Sequence, residues 1–208
     1  MTVADVWPGS SGWTTEILAP YLKDAGVYIA AGYDVDTETS FDPAPHHADF
    51  MAKLAARPDL YDAVRIGRVS QTRFEIAPAG SVDLALFFRL AHVFARNRAL
   101  EALLSAIRDA LKPGGVLGLT EHRAKSDQVR DPQGLRGYMH QDQIVAIVEG
   151  ASFALDGISE IKANPRDTAD HPLGVWNLPP WLWGGETDRD KYLAIGESDR
   201  MTLRFVRR

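Results

Sequence analysis

The sequence predicts an α/β fold with a mainly parallel β-sheet, and three observations support this prediction. Short apolar segments alternate with segments of helical periodicity along most of the 208 residues. Residues 2–31 contain a strand, a glycine-rich turn, a helix and a second strand, which is the pattern of a βαβ unit. Hydrophobic residues make up 45% of the chain and charged residues 25%, a balance typical of a folded globular protein.

The amino-terminal βαβ unit is the clearest local signal. Strands are predicted at Thr2–Val6 and Val27–Ala31, and the turn Trp7–Gly12 leads into a helix over Thr14–Leu22. Apolar residues recur at helical spacing in that helix, and Gly26 is a suitable end for it. Two parallel strands need such a crossover connection, which is almost always right-handed.

The remaining elements continue the alternation. Strands are predicted at Val64–Val69, Val82–Phe88, Val116–Thr120, Ala154–Ile161 and Met201–Val206, and helices at Ala48–Ala56, Leu100–Leu111 and Gln141–Val148. The Lys-Pro-Gly-Gly sequence at 112–115 is expected to end a helix as a turn. The whole chain, 1–208, is interpreted as a single domain.

Residues 164–200 form a Trp/Pro-rich insertion before the last strand. Connections of this length are usually lids, binding loops or interfaces, so we expect the insertion to lie across the carboxyl edge of the sheet. Its prolines and polar turns predict neither an internal helix nor a deep core role. The last strand is expected to return antiparallel beside Ala154–Ile161.

Composition excludes several classes of function. The net charge is −5, which disfavours nucleic acid as a partner because such binding relies on a basic surface. No apolar run is long enough for a transmembrane helix, so no membrane partner is expected. The chain has no cysteine and therefore no disulfide, zinc-thiolate site or thiol nucleophile. Localisation stays open between the cytoplasm and, if a leader precedes this sequence, the periplasm.

Three motifs occur in order along the chain: Val-Ala-Asp-Val at 3–6, Gly-Ser-Val-Asp-Leu at 80–84 and Leu-Lys-Pro-Gly-Gly-Val-Leu at 111–117. Together they resemble the class I S-adenosylmethionine-dependent methyltransferases. The Trp-Pro-Gly turn and the segments at 15–20 and 196–201 are similar to a bacterial group of predicted methyltransferases. The resemblance implies a Rossmann-like sandwich with an antiparallel last strand and S-adenosylmethionine as the cofactor.

The first βα turn is the expected cofactor site, because ligands of open α/β sheets bind at the carboxyl ends of the strands. Glycines let the backbone approach a ligand, and a helix N-terminus offers free N–H groups. An acid that follows the second strand suits ribose hydroxyls. The predicted cofactor-binding residues are Asp5, Trp7, Gly9, Gly12, Thr14 and Asp34.

Two departures from the family pattern concern this site. The family has glycines two, four and six residues after the acid, where this chain has Trp7, Gly9 and Ser11. The adenine-binding acid expected after the third strand is not evident, since Ser70, Gln71 and Thr72 stand there.

The predicted catalytic residues follow two later strands. His92 comes after the strand Val82–Phe88, and Glu121 and His122 come after Val116–Thr120. If these strands are neighbours, the three side chains share one pocket. A histidine can remove a proton from an O–H or N–H acceptor, and His92 is preferred over His122 as that base. Structural roles remain alternatives, and no metal is predicted because the spacing of paired ligands is missing. Further polar candidates at the same edge are Arg89, Arg123, Tyr138 and His140.

These features predict an S-adenosylmethionine-dependent methyltransferase that acts on a small molecule, with a homodimer as a further expectation. Trp176, Trp181 and Trp183 are candidates to line the substrate site. The alternative is a methyltransferase-like binding or interaction module with a degenerate cofactor site, which Trp7 favours. A nicotinamide-dependent oxidoreductase ranks last, because the turn fits the Gly-x-Gly-x-x-Gly pattern poorly.

Overall fold

The computed structural model describes residues 1–35 and 44–208 of the chain. Its strands are β1 (Thr2–Val6), β2 (Val27–Tyr33), β3 (Arg65–Val69), β4 (Phe74–Glu75), β5 (Val82–Phe88), β6 (Leu111–His122), β7 (Phe153–Ser159) and β8 (Arg200–Arg207). Its α-helices are α1 (Trp13–Leu22), α2 (Ala44–Ala56), α3 (Pro58–Tyr61), α4 (Ala91–Arg96), α5 (Leu100–Ala110), α6 (Gln141–Gly150) and α7 (Arg189–Ile195). A short 3₁₀ helix covers Gly174–Asn177.

The strands form one sheet in the order β4-β3-β2-β1-β5-β6-β8-β7. β1 pairs in parallel with β2 and β5, β2 pairs in parallel with β3, and β3 pairs antiparallel with the short β4. The carboxy-terminal strands are antiparallel, and β8 lies beside β7. The predicted α/β fold with a mainly parallel sheet and an antiparallel last strand is therefore confirmed.

The central strands are buried along their length. β1 and β2 are buried over nearly all their residues, as expected for parallel strands covered on both faces. Amphipathic helices provide that cover. On α5 the buried positions recur every three or four residues and include Leu100, Leu103, Leu104 and Ile107.

Several element boundaries differ from the sequence prediction. β6 begins at Leu111, so the Lys-Pro-Gly-Gly segment belongs to the strand instead of forming a separate turn. Gly114, the fourth residue of this strand, has a φ of +73°, a left-handed value that glycine adopts without steric cost. α2 begins at Ala44, and the short elements α3, α4 and β4 have no periodicity long enough to predict them.

The chain divides into two compact units. The first unit comprises residues 1–87, 102–117 and 206–208, and the second comprises residues 88–101 and 118–205. One apolar cluster of the first unit consists of Val3, Ala19, Leu22, Tyr28, Ala30, Phe50 and Tyr61. A smaller cluster of the second unit consists of Tyr138, Ala169 and Val175, with Ala124 and Trp176 packed against it.

The insertion corrects two expectations, because it contains a helix and buried residues. α7 lies inside it and buries Tyr192. Asp167 is fully buried and accepts hydrogen bonds from the Tyr138 hydroxyl (3.1 Å), His171 Nε2 (2.9 Å) and the Asp199 backbone N–H (2.8 Å). Burial alone would raise the pKa of Asp167, but the hydrogen bonds from His171 and from the backbone N–H groups of Asp199 and Ala169 hold it below its usual value. A buried, fully paired carboxylate thus anchors the insertion within the second unit.

Within residues 1–35 and 44–208, no helix combines the length and the apolar character needed to span a lipid bilayer.

Candidate functional site

A buried carboxylate, that of Asp5, stabilises the predicted cofactor turn of the first unit. Asp5 on β1 accepts hydrogen bonds at Oδ2 from the Thr14 hydroxyl and from the Tyr28 hydroxyl (2.8 Å). The Thr15 hydroxyl lies 2.9 Å from the same tyrosine oxygen. Burial raises the pKa of Asp5, although both hydrogen bonds act in the opposite direction. Asp5 and Thr14 therefore hold the first turn of α1 against β1, and their side chains are directed to each other.

The turn itself uses three left-handed backbone positions. Trp7, Gly9 and Gly12 have φ values of +62°, +75° and +52°. Trp7 thus adopts, at a position where the family has glycine, a conformation that costs a non-glycine residue roughly 1–2 kcal/mol. Its ring packs edge-to-face on Tyr33 at 4.7 Å, and Tyr33 stacks on His46 at 5.5 Å.

The two glycines of the turn have different surroundings. A Cβ atom built on Gly9 meets nothing within 4 Å, so its backbone borders open space. A Cβ atom on Gly12 would lie 2.7 Å from the ring of Phe50, so the packing of α2 explains that glycine. Gly9 therefore fits close approach by a ligand, whereas Gly12 meets a requirement of the fold.

Asp34 follows β2 at the position expected for a ribose-binding acid. Its backbone N–H donates to the Val69 carbonyl (3.0 Å), and its side chain is wholly buried. Arg73 Nη1 lies 3.6 Å from Oδ1, and the same guanidinium also binds Glu75. The acid is thus in place, but a ribose would have to compete with Arg73 for it.

The residues after β3 form a turn. The Ser70 hydroxyl accepts the backbone N–H groups of Thr72 (3.2 Å) and Arg73 (2.9 Å). The open backbone at Gly9, the start of α1 and the acid at Asp34 suit an adenosyl cofactor. The binding roles of the six predicted residues remain predictions.

The second unit brings the three predicted catalytic residues together. His92 lies in the first turn of α4, and Glu121 and His122 are the last residues of β6. His92 Nδ1 is 3.0 Å from Glu121 Oε1, and the backbone N–H of His92 donates to Oε2 at 3.0 Å. The backbone N–H of His122 donates to Oε1 at 2.8 Å. Their catalytic roles remain predictions.

Glu121 is the charged centre of this group. Burial would raise its pKa, but His92, His122 and the hydrogen bonds they make hold the pKa of Glu121 below its usual value. Because an ionised carboxylate only accepts hydrogen bonds, the Nδ1 atom of His92 carries the proton. Within the part of the chain that the structure describes, Nε2 of His92 has no hydrogen-bond partner and can accept a proton from another molecule.

His122 is held neutral by its surroundings. Its Nδ1 atom lies 2.5 Å from the Ser198 hydroxyl. Burial lowers the pKa of His122 to about 3, and the charges of Arg200 and Arg89 act in the same direction against the attraction of Glu121. A group with so low a pKa is a weak base at neutral pH. His92 is therefore the better candidate of the two histidines for proton removal.

These three side chains also offer metal-ligating atoms within 4.8 Å of one another. Glu121 already accepts three hydrogen bonds from N–H groups, and two arginines affect the neighbouring His122. Both features disfavour a cation, and we retain the prediction of no metal.

Three tryptophans, Trp176, Trp183 and Trp181, form an aromatic row beside the His–Glu cluster of His92, Glu121 and His122. The ring of Trp176 meets the His92 ring edge-on at 6.2 Å and stacks on Trp183 at 5.4 Å. The guanidinium of Arg96 lies over the Trp176 ring, 5.3 Å from its centroid. Trp181 and Trp183 are each 60% exposed, so the row runs from the buried histidine to the surface. Arg96 was missed by sequence reasoning, although its position four residues after His92 on a helix was a usable signal.

Two of the other polar candidates, Arg123 and Tyr138, make contacts that stabilise the fold. Arg123 binds Glu160 (2.7 Å) and Asp199 (2.9 Å), and Tyr138 donates to the buried carboxylate of Asp167. His140 precedes α6 and is buried, with no hydrogen-bond partner for Nε2 among the described residues.

The architecture is shared with several solved structures. The [4+2]-cyclase SpnF matches with a TM-score of 0.63 at 16% identity, over 99% of this chain and 74% of that chain. A SAM-dependent methyltransferase from Aquifex aeolicus matches with a TM-score of 0.60 at 14% identity, over 99% and 81%. The 1,6-didemethyltoxoflavin-N1-methyltransferase of Burkholderia thailandensis, solved with 1,6-didemethyltoxoflavin and S-adenosylhomocysteine, matches at 0.58 and 15% identity, over 99% and 70%.

No family model and no curated protein matches the sequence. The chain has the class I methyltransferase fold that its motifs predict. At these identities the likeness extends to the fold alone, and membership of the bacterial group stays a prediction.

Proposed function

We propose that this protein is an S-adenosylmethionine-dependent methyltransferase that acts on a small molecule. The observation that carries the proposal is the buried Glu121–His92 pair in a chain with the methyltransferase fold. The carboxylate fixes the imidazole with Nδ1 protonated and Nε2 available. A fixed imidazole of this kind is suited to take a proton from an acceptor hydroxyl or amine.

The first unit would hold the cofactor. Gly9 lets the backbone approach it, the start of α1 offers N–H groups, and Asp34 would bind the ribose hydroxyls once Arg73 is displaced. When bound, S-adenosylmethionine supplies an electrophilic methyl group whose departure leaves S-adenosylhomocysteine. Asp5 and Thr14 would contribute indirectly, by supporting the turn.

The second unit would bind and activate the acceptor. His92 Nε2 removes the acceptor proton as the acceptor atom is methylated, and Glu121 stabilises the resulting imidazolium across the 3.0 Å contact. Trp176 provides an apolar wall beside the histidine, which suits an aromatic or apolar acceptor. Much of the rate would come from orientation, as in other group transfers that need in-line geometry.

Cofactor binding is tested by calorimetric titration with S-adenosylhomocysteine, using Gly9→Val and the matched control Gly80→Val. Both glycines have positive φ (+75° and +62°) and open surroundings, so both substitutions carry similar backbone strain. Gly80 lies in the turn before β5, away from the turn after β1. We expect micromolar affinity in the parent and the control, and at least tenfold weaker binding in Gly9→Val.

Equal affinity in the two variants would remove Gly9 from the site. No binding by the parent protein would favour the alternative, a methyltransferase-like binding module whose cofactor site has degenerated. Two observations favour that alternative: Arg73 lies beside the buried carboxylate of Asp34, and Trp7 stands in the turn.

A further inference from the structure

Arg89 is a half-buried cation at the end of β5 in the second unit. Its backbone N–H donates to the Thr120 carbonyl at 2.7 Å, which places residue 89 beside the last residues of β6. Its φ is +61°, a strained value for a residue with a side chain, and such strain is concentrated at functional sites. Across residues 1–35 and 44–208, no carboxylate lies within ion-pair distance of its guanidinium.

A second arginine lies at the same end of β6. Arg200 is the first residue of β8, the neighbour of β6 in the sheet, and is only 8% exposed. Its Nε donates to the Ser198 hydroxyl at 3.4 Å, and that hydroxyl also contacts His122. The two arginines therefore flank the residues that end β6. Burial lowers the pKa of Arg89 and the charge of Arg200 lowers it further, which outweighs the weaker attraction of Glu197 and Glu121.

The acids of this region have other partners. Glu121 is occupied by His92 and two backbone N–H groups. Glu197 binds Arg200 and is largely exposed. Among the described residues, Arg89 is thus a partly desolvated positive charge with no carboxylate within ion-pair distance, and burying such a group is unfavourable unless a partner of opposite charge is supplied.

We propose that Arg89, together with Arg200, binds an anionic group of the methyl acceptor, a carboxylate or a phosphate. Guanidinium groups recognise both anions through paired, charge-assisted hydrogen bonds. The inference rests on the proposed function in placing the acceptor at the His–Glu cluster. It adds that the acceptor combines an ionised group with an apolar or aromatic part that packs beside Trp176.

The test uses three small probes that share one ring: benzoate, phenyl phosphate and the neutral benzamide. Each is titrated by calorimetry into the parent protein, Arg89→Gln and the matched control Arg204→Gln. Arg204 is an exposed arginine of the same unit that pairs with Asp156 on β7. The parent should bind at least one anionic probe roughly tenfold more tightly than benzamide.

In Arg89→Gln that preference should fall to within about twofold, while Arg204→Gln keeps it. Preference for benzoate identifies a carboxylate, and preference for phenyl phosphate identifies a phosphate. The proposal is overturned if the parent does not discriminate between charged and neutral probes, or if Arg89→Gln discriminates as well as the parent.

A measurement on the parent alone covers the case in which Arg89→Gln does not fold. Raising the NaCl concentration should weaken binding of the preferred anion and leave benzamide unchanged, because salt screens only the charged contact. Equal salt dependence of both probes would contradict the proposal. S-adenosylhomocysteine binding is measured separately, so an anion site without cofactor binding would refute the proposed function only.

Discussion

Asp5 in the first unit and Glu121 in the second are both buried carboxylates on strands of the parallel part of the sheet. Asp5 is paired with the hydroxyl groups of Thr14 and Tyr28, and its pKa is raised. Glu121 is paired with N–H groups and with His92, and its pKa is lowered. Burial acts alike on both, so the difference arises from the partners.

The difference in partners suggests a structural role for Asp5 and a chemical role for Glu121. Hydroxyl donors stabilise an anion less than a histidine and two N–H groups do, so Asp5 serves as a polar anchor for a turn. The ionised Glu121 can orient and stabilise a protonated imidazole. The first unit therefore resembles known methyltransferases in its sequence motif, whereas the second carries the group best suited to proton transfer.

The largest effect is expected from His92→Gln, which removes the proposed base. Turnover of a methyl acceptor should fall about 10²–10⁴-fold, the usual contribution of general base catalysis. S-adenosylhomocysteine affinity should stay within about twofold, as the cofactor residues are unaffected. His47→Gln, a substitution on α2 of the first unit, serves as the control. Unchanged turnover in His92→Gln would exclude this histidine as the base.

The two carboxylates should differ in their contribution to stability. In Glu121→Gln the amide NH2 group would face backbone N–H groups that can only donate hydrogen bonds. The substitution should therefore lower the free energy of unfolding by about 3–5 kcal/mol. Asp5→Asn should cost about 1 kcal/mol, because the Thr14 and Tyr28 hydroxyls can either donate or accept. Urea unfolding monitored by circular dichroism measures both values. Equal losses would show that the two carboxylates have equivalent roles.

The third expected effect concerns the pH dependence of stability. His122 has a pKa of about 3 in the folded protein and an unperturbed value of 6.5. As the pH falls below 6.5, the unfolded chain binds a proton at this site that the folded protein does not, so stability decreases. Between pH 6.5 and 5 this histidine should contribute a slope of up to about 1.4 kcal/mol per pH unit.

Urea unfolding at several pH values tests this prediction. His122→Gln should reduce the slope measured for the parent. If His122→Gln keeps the full slope, the folded protein protonates this histidine normally and His122 regains its place as a candidate base.

Much of the fold was predictable because its signals are local. β1 and β5 were predicted with their observed bounds, and α1 was correct to within one residue. Long apolar runs and helical periodicity depend on the identity of neighbouring residues, which the sequence shows directly. The failures were α7 and the extended start of β6, where burial of Tyr192 and the sheet itself outweigh local prolines, glycines and polar residues.

The sequence was sufficient to predict which residues lie together in the candidate site, but not their pKa shifts. Parallel strands place their carboxyl ends at one edge, so His92, Glu121 and His122 could be expected together from the order of elements. Their different properties could not be expected, because Ser198 and Arg200 approach from a segment more than 70 residues away.

By itself, the sequence determined the α/β class, the order of strands and helices, and the motifs of the methyltransferase fold, since these depend on local periodicity and turn chemistry. Only the tertiary structure decided which buried carboxylate has a lowered pKa, which nitrogen of His92 is available, and which arginine lacks an ion-pair partner among the described residues. Those properties depend on burial and on distances between segments far apart in the chain, and the free energy of a buried charge is set by such neighbours.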